Sequence, residues 1–275
     1  MGIVNVTPDS FSDGGRFSTH TAAHAHCDQL LQEGADILDI GGESTRPGAT
    51  PLTCEEELAR VLPVVRYALS LGVPISVDTY KPRVMQAVLD MGVDIINDVW
   101  ALRWQSSDRQ APTSSQVLAL HPTCGVCLMH MHREPQTMQI APMQGDVVPQ
   151  VKAFLHQVVN QLLMLGVNSE RICIDAGIGF GKTVQQNFAL LARQSELASM
   201  GYPLLAGWSR KSSLAAVCHL PTDFATEVLP HPRMVPSVTA AVLSAVQGAH
   251  IIRVHDVKET VQALQVWGAM QLQNN

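Results

Sequence analysis

Residues 75–79 (ISVDT) form a short apolar, β-branched run that ends on polar residues, and a second such run follows at residues 95–99 (IINDV) after a helix-like stretch. The same unit recurs along the chain at residues 3–7, 37–42, 126–131, 171–175, 202–209 and 250–256. Runs that alternate with helical patterns indicate βαβ units and a parallel sheet. Eight units in roughly 250 residues match a TIM barrel, so we predict an α/β protein with a single (β/α)8 barrel domain over residues 1–275.

Composition limits the partners of this chain. Its 275 residues carry a net charge of −6, with 46% hydrophobic and 15% charged residues. Nucleic acids and anionic membranes both require a basic face, so neither is an expected partner. We find no apolar stretch near the ~20 residues that span a bilayer, and no signal peptide. The six cysteines are therefore expected to be reduced thiols in a cytoplasmic protein.

Helix signals fall between the strand-like runs, as a barrel requires. Thr53, followed three residues later by Glu56, fits a capping box at the start of one helix. Pro82 suits the first turn of the next helix, and residues 257–270 have the spacing of a final helix. Three segments are too irregular for this pattern: 8–17, 42–51 and 133–149. The first two follow strands one and two, at the end of a barrel where catalytic loops lie.

Polar side chains close most of the predicted strands, and the carboxyl ends of all strands meet at one end of a barrel. One group provides acceptors suited to a flat heterocycle with amidine-like N–H donors: Asp78, Asn97 and Asp175. A carboxylate accepts two parallel hydrogen bonds from such an edge. A second group, after strands seven and eight, provides donors and positive charge suited to phosphate: Lys211, Arg253 and His255. The sequence therefore predicts one site with an acceptor side and an anion-binding side.

Any one of these residues could equally cap a helix or hold a loop, because caps favour the same residue types at strand ends. The whole set argues for a site more strongly than any single member does. Asn5, at the end of the first strand, joins the candidates, and Asp39 in the second strand is the weakest of them.

Residues 176–183 (AGIGFGKT) approximate the P-loop that binds phosphates in NTPases. The first glycine of that motif is Ala176 here, and eight uniform units do not fit the open sheet of an NTPase. We interpret the glycine-rich turn instead as one that lets the backbone approach a ligand beside Asp175.

Cys124 and Cys127 have the spacing of one half of a zinc site, which needs a second pair of ligands at matching spacing. His130 and His132 are near in sequence but lie on a strand pattern. A structural thiol pair is the better interpretation.

Two long segments, 5–15 (NVTPDSFSDGG) and 39–48 (DIGGESTRPG), closely resemble the signature segments of the dihydropteroate synthase family. Six short segments match that family in the same order: 76–79 (SVDT), 96–98 (IND), 129–131 (MHM), 177–182 (GIGFGK), 209–212 (SRKS) and 253–255 (RVH). The likeness runs essentially from Met1 to the last predicted helix.

The resemblance implies a pterin-binding (β/α)8 transferase of folate biosynthesis. Such an enzyme condenses 6-hydroxymethyl-7,8-dihydropterin pyrophosphate with p-aminobenzoate, and the products are 7,8-dihydropteroate and pyrophosphate. The resemblance further implies Mg²⁺ as the cofactor, a homodimer, and sensitivity to sulfonamides, which mimic p-aminobenzoate.

The resemblance also implies roles for individual residues. The pterin would be held by Asp78, Asn97, Met131, Asp175, Phe180 and Lys211. The pyrophosphate would be held by Asn5, Thr45, Arg46, Arg253 and His255. Asn5 would also ligate Mg²⁺, and the p-aminobenzoate pocket would be bordered by Phe11, Pro47 and Ser212. The catalytic groups would be Asp9, Asp13, Lys211, Arg253 and His255.

The sequence departs from the family pattern at Ala176, where proline is usual, at the bulky Trp208, and at residues 235–237 (VPS), where Gly-Ser or Gly-Thr is usual. None of these changes removes a proposed ligand. Two alternative functions stay open: a pterin-binding barrel of the corrinoid methyltransferase type, and a non-catalytic pterin-binding protein. Neither would use a pyrophosphate clamp, and five residues that would form or support one are present: Asn5, Arg46, Lys211, Arg253 and His255.

Overall fold

A computed structural model of the protein describes residues 1–7, 16–44, 50–106, 108, 110–135, 137–221 and 230–273, with backbone only for residues 16–19. Within these ranges, eight parallel strands pair in chain order. They are β1 Gly2–Asn5, β2 Leu38–Gly41, β3 Ile75–Asp78, β4 Ile95–Asp98, β5 Gly125–Met129, β6 Ile172–Asp175, β7 Leu204–Ala206 and β8 Ile251–Ile252. A parallel bridge between Gly2 and Val254 joins the last strand to the first. The predicted (β/α)8 barrel is confirmed.

Helices fill the connections between the strands. In the described residues they are α1 Arg16–Gln32, α2 Cys54–Leu69, α3 Pro82–Asp90, α4 Ser114–Leu120, α5 Val147–Met164, α6 Val184–Ala192, α7 Gln194–Ala198, α8 Ser212–Val217, α9 Met234–Val246 and α10 Val257–Gln271. One turn of 3₁₀ helix, Ser169–Arg171, precedes β6. Among these helices, none combines the length and the apolar character needed to cross a bilayer.

The predicted helix starts are confirmed where a cap specifies them. The Thr53 hydroxyl accepts the Glu56 N–H at 3.2 Å, and the Glu56 carboxylate accepts the Thr53 N–H at 2.8 Å, so the capping box is complete. Pro82 opens α3, as predicted. The predicted irregular segment 8–17 extends two residues too far, because α1 already begins at Arg16.

Alternation along the strands separates an apolar outer face from a polar inner face. Ile40, Val77 and Ile96 are fully buried in the hydrophobic core between sheet and helices. Their neighbours Asp78 and Asn97 are paired in register and face the barrel interior. The polar residues that close the strands therefore come together inside the carboxyl end of the barrel.

Candidate active site

Arg253 lies just after β8, between two carboxylates of other strands. Its Nε donates to Oδ2 of Asp39 at 2.6 Å, and its Nη2 donates to Oδ2 of Asp78 at 2.8 Å. Burial alone would lower the pKa of Arg253, but the attraction of Asp39 and then of Asp78 raises it overall. The guanidinium therefore stays charged, and it connects β8 to β2 and β3 across the barrel.

Asp39, the weakest candidate in the sequence, proves to be a central member of this group. Its side chain is fully buried, and its Oδ2 accepts from both Arg253 and Asn97, the latter at 3.2 Å. Its Oδ1 is buried and has no hydrogen-bond partner in the described structure. The sequence feature that indicates this role is a carboxylate inside an otherwise apolar strand. Burying such a carboxylate is costly unless a cation pairs with it.

Two of the predicted acceptor residues have a raised pKa. Burial, with Arg253 acting against it and Asp39 adding to it, raises the pKa of Asp78 to about 7. Burial also raises the pKa of Asp175, although the N–H of Gly177, 2.7 Å from Asp175 Oδ1, acts against it. Buried carboxylates of this kind can accept hydrogen bonds from a heterocycle that excludes water, and perturbed pKa values are frequent at functional sites.

The walls beside these carboxylates are apolar. Met131 and Phe180 belong to one small cluster of buried side chains, separate from the main core, with Tyr80, Val99, Met129 and Met138. The Nζ of Lys211 lies 4.4 Å from the centre of the Phe180 ring, a cation–π contact. The structure thus places all six predicted pterin residues at the carboxyl end of the barrel.

The anion-binding side is ordered by contacts between β7 and β8. The Ser209 hydroxyl lies 2.9 Å from Nδ1 of His255 and also accepts the His255 N–H at 3.1 Å, which fixes the imidazole. Arg210, which follows Ser209, forms an ion pair with Asp256 at 2.6 Å. No local sequence pattern indicates this pair, because its two residues are far apart in the chain.

The other predicted residues divide between described and undescribed parts of the chain. Asn5 ends β1, partly buried and in register with Gly41 on β2. Ser212 is exposed in the first turn of α8. Six predicted residues lie outside the described ranges: Asp9, Phe11, Asp13, Thr45, Arg46 and Pro47.

In the described part of the chain, the key side chains of both misleading motifs are buried. The side chain of Lys182 in the AGIGFGKT turn is buried and donates to backbone carbonyls. Cys124 and Cys127 are both buried free thiols, and Cys127 pairs in register with Cys173 on β6. Burial lowers the pKa of His130 to about 2, so that imidazole stays neutral. No group of three or more potential metal ligands of the His, Cys, Asp or Glu type occurs in the described residues.

Known proteins similar in sequence cover almost the whole of this chain. A family model described as "Pterin binding enzyme" matches residues 1–255. The dihydropteroate synthase of Neisseria meningitidis serogroup B is 47% identical over 275 residues, which cover 98% of this chain and 92% of the relative. The Escherichia coli K12 enzyme is 43% identical over 267 residues, covering 97% and 89%.

Solved structures agree with the sequence relatives. The Xanthomonas albilineans dihydropteroate synthase with 4-aminobenzoic acid has a TM-score of 0.87 at 47% identity, covering 98% of this chain and 92% of that one. The Yersinia pestis enzyme with a sulfonamide drug complex has a TM-score of 0.87 at 41% identity, covering 98% and 93%.

Fold, inner polar residues and family match together define a pterin-binding (β/α)8 enzyme. Within that class, the chain belongs to the dihydropteroate synthase family.

Proposed function

We propose that this protein condenses 6-hydroxymethyl-7,8-dihydropterin pyrophosphate with p-aminobenzoate, giving 7,8-dihydropteroate and pyrophosphate. The observation that carries the proposal is the buried contact of Arg253 with Asp78, because it sets a cation for a leaving anion directly beside an acceptor for the pterin. Relatives that cover almost the whole chain are dihydropteroate synthases, which supports the same reaction.

In this proposal the acceptor side holds the pterin. Asp78 and Asp175 accept hydrogen bonds from the N–H edge of the ring, and the Asn97 amide adds a further polar contact. Met131 and Phe180 cover the ring faces with apolar surface. Lys211, beside Phe180, adds a positive charge at the edge of the same pocket. The pterin is thereby oriented with its pyrophosphate toward Arg253.

The chemical step requires an anion clamp more than a strong base. When the C–O bond to pyrophosphate breaks, the electron pair leaves with the phosphate and a resonance-stabilised pterin cation remains. The p-aminobenzoate nitrogen forms the new C–N bond and then loses a proton. Arg253 and the Ser209-oriented His255 stabilise the charge that develops on the departing pyrophosphate. The predicted loop residues Asp9, Asp13, Thr45 and Arg46 would complete this environment.

Mg²⁺ fits the residues on the anion-binding side. Mg²⁺ commonly takes one or two protein ligands and completes its shell with phosphate oxygens and water, so a dedicated cluster of carboxylates is not required. Asn5 offers one amide oxygen at the end of β1. Asn5 would hold the ion, which would neutralise charge on the leaving group when bound.

We also propose that two copies of the chain associate, in the cytoplasm. Helices α9 and α10 pack against each other and leave large apolar side chains exposed: Leu243 and Val246 on α9, Val266 and Met270 on α10. Exposed large apolar side chains on two helices that pack together offer a surface that a second copy of the chain would cover. Light scattering should give twice the mass of one chain for the wild type. For Val266→Lys it should give the mass of a single chain. A wild-type monomer would overturn the dimer.

The reaction itself is tested by supplying both substrates with Mg²⁺ and following dihydropteroate by chromatography. We expect product formation that a sulfonamide inhibits competitively with p-aminobenzoate. The methyltransferase-type alternative predicts no product with these substrates. A non-catalytic pterin-binding protein predicts binding of the pterin without turnover.

A further inference from the structure

Lys182 is buried at the carboxyl end of the barrel, although its side chain carries a charge. Its Nζ donates to three backbone carbonyls: Gly177 at 2.8 Å, Phe180 at 3.1 Å and His130 at 3.3 Å. An ammonium group has three N–H donors, so these contacts use all of them. No salt bridge to Lys182 occurs in the described parts of the chain, where the buried charge is balanced by carbonyl dipoles instead.

Each of the three carbonyls lies beside a residue of the proposed pterin pocket. Gly177 donates its N–H to Asp175 at 2.7 Å, and Phe180 supplies one apolar wall. His130 is followed directly by Met131, which supplies the other wall. The ammonium therefore connects the end of β5 to the loop after β6, through three carbonyls that lie beside residues of the proposed pterin site.

The loop after β6 has little freedom around this contact. Gly177 has a φ of +67°, and a Cβ atom there would lie 1.9 Å from the carbonyl oxygen of His130. The Phe180 N–H donates to the Gly177 carbonyl at 3.1 Å. The Gly179 N–H is held on the other side by Asn187 at 2.9 Å. The three contacts of Lys182 Nζ complete this set of hydrogen bonds.

A charged residue at this position is costly. Burial lowers the pKa of Lys182 to about 7, and the positive charge of Lys211 adds to that effect, while Asp175 acts against it. An apolar side chain of equal length would avoid the desolvation cost, but it would remove the one donor that the three carbonyls share. The contacts of Nζ with the three carbonyls offset part of the cost of burying this amine.

We propose that Lys182 is a positioning residue for the pterin: it fixes Asp175, Phe180 and Met131 relative to one another through their backbone, without contacting the substrate. In a P-loop the motif's lysine binds a phosphate. Here the corresponding Lys182 donates to carbonyls of its own loop. This assignment rests on the proposed function, since it takes the pterin site as given.

The test is the variant Lys182→Met, with Lys258→Met on the exposed face of α10 as the matched control. We expect the KM for dihydropterin pyrophosphate to rise about tenfold or more in Lys182→Met, because a small displacement of positioning groups costs this much. The KM for p-aminobenzoate should change less than about twofold, and Lys258→Met should match the wild type. A residue that only stabilises the fold would lower the melting temperature and leave both KM values of the folded enzyme unchanged, which would overturn the assignment.

A second variant and a second readout keep the test decisive. Lys182→Gln retains two N–H donors, so its pterin KM should lie between those of wild type and Lys182→Met, and it carries the test if the methionine variant does not fold. Calorimetry with bare 6-hydroxymethyl-7,8-dihydropterin measures the same effect without turnover. If the wild type makes no dihydropteroate, the proposed reaction fails. If wild type and Lys182 variants bind the bare pterin equally, the positioning role fails.

Discussion

Arg253 and Asp78 form a largely buried ion pair, with Nη2 of Arg253 2.8 Å from Oδ2 of Asp78. This contact joins the two halves of the proposed site, because Asp78 belongs to the pterin side and Arg253 to the anion side. Any ligand that binds one of these residues changes the electrostatic environment of the other. The two substrate fragments, pterin and pyrophosphate, are therefore expected to bind interdependently.

The variant Arg253→Ala tests this interdependence. Loss of the guanidinium should weaken binding of dihydropterin pyrophosphate by about 100-fold, because a charge-assisted contact to phosphate is removed. Binding of the bare dihydropterin should also weaken, by about tenfold at pH 7, because Arg253 lowers the pKa of Asp78. Calorimetry with both ligands measures the two effects. Unchanged affinity for the bare pterin would show that the ion pair does not couple the halves.

The ionisation of Asp78 should appear in the pH dependence of pterin binding. Its pKa is raised to about 7 by burial, so the carboxylate is mostly protonated at pH 6 and mostly ionised at pH 8. Only the ionised form accepts two hydrogen bonds, so affinity for the bare pterin should fall about tenfold from pH 8 to pH 6. In Asp78→Asn this step near pH 7 should disappear, because an amide does not titrate. The same step in the variant would assign it to another group.

Asp39 should be required for both stability and turnover. Asp39→Asn removes the charge that pairs with Arg253 at 2.6 Å, and we expect it to lower the free energy of unfolding by about 3 kcal/mol. We also expect kcat/KM to fall about 100-fold, since Arg253 and Asn97 lose a common anchor. Glu55→Gln is the control, because Glu55 pairs with Arg83 on the surface and should change neither quantity. Urea unfolding measures the free energy of unfolding, and steady-state kinetics measure kcat/KM. If both quantities in Asp39→Asn stay close to those of the wild type, this role of Asp39 is contradicted.

Gly177 and Gly145 allow a matched test of the loop that carries the pterin wall. Both have a positive φ, +67° and +73°, so alanine at either position has a similar conformational cost of about 1–2 kcal/mol. Only at Gly177 would the new Cβ meet a backbone atom, the His130 oxygen at 1.9 Å. Gly177→Ala should therefore lose pterin affinity and further stability, whereas Gly145→Ala should keep its affinity. Equal effects in thermal unfolding and in pterin calorimetry would rule out the steric argument.

The sequence predicted the barrel and the grouping of its strand-end residues because both depend on local patterns. Alternation of strand and helix gives the topology, and the carboxyl ends of parallel strands must meet at one place. Asp78 and Asn97 were identified in this way, since adjacent strands pair them directly. The capping box at Thr53 was equally local.

What the sequence alone did not give depends on contacts between distant parts of the chain. Asp39 and Arg253 are separated by 214 positions, so no local pattern indicates that one holds the other. The inward direction of the Lys182 side chain likewise follows from the packing of the β6 loop against His130. The predicted residues of the first two loops, such as Asp9 and Arg46, stay predictions because they lie outside the described ranges.

In the proposed function, one site binds the pterin, releases its pyrophosphate and transfers the pterin to p-aminobenzoate. It is tested most directly by measuring, in one reaction with Mg²⁺, the pyrophosphate released and the labelled p-aminobenzoate incorporated into dihydropteroate. We predict equal amounts of the two at every time point, and no incorporation when labelled benzoate, which lacks the amine, replaces p-aminobenzoate. Pyrophosphate release without incorporation, or no release at all, would contradict the proposed function.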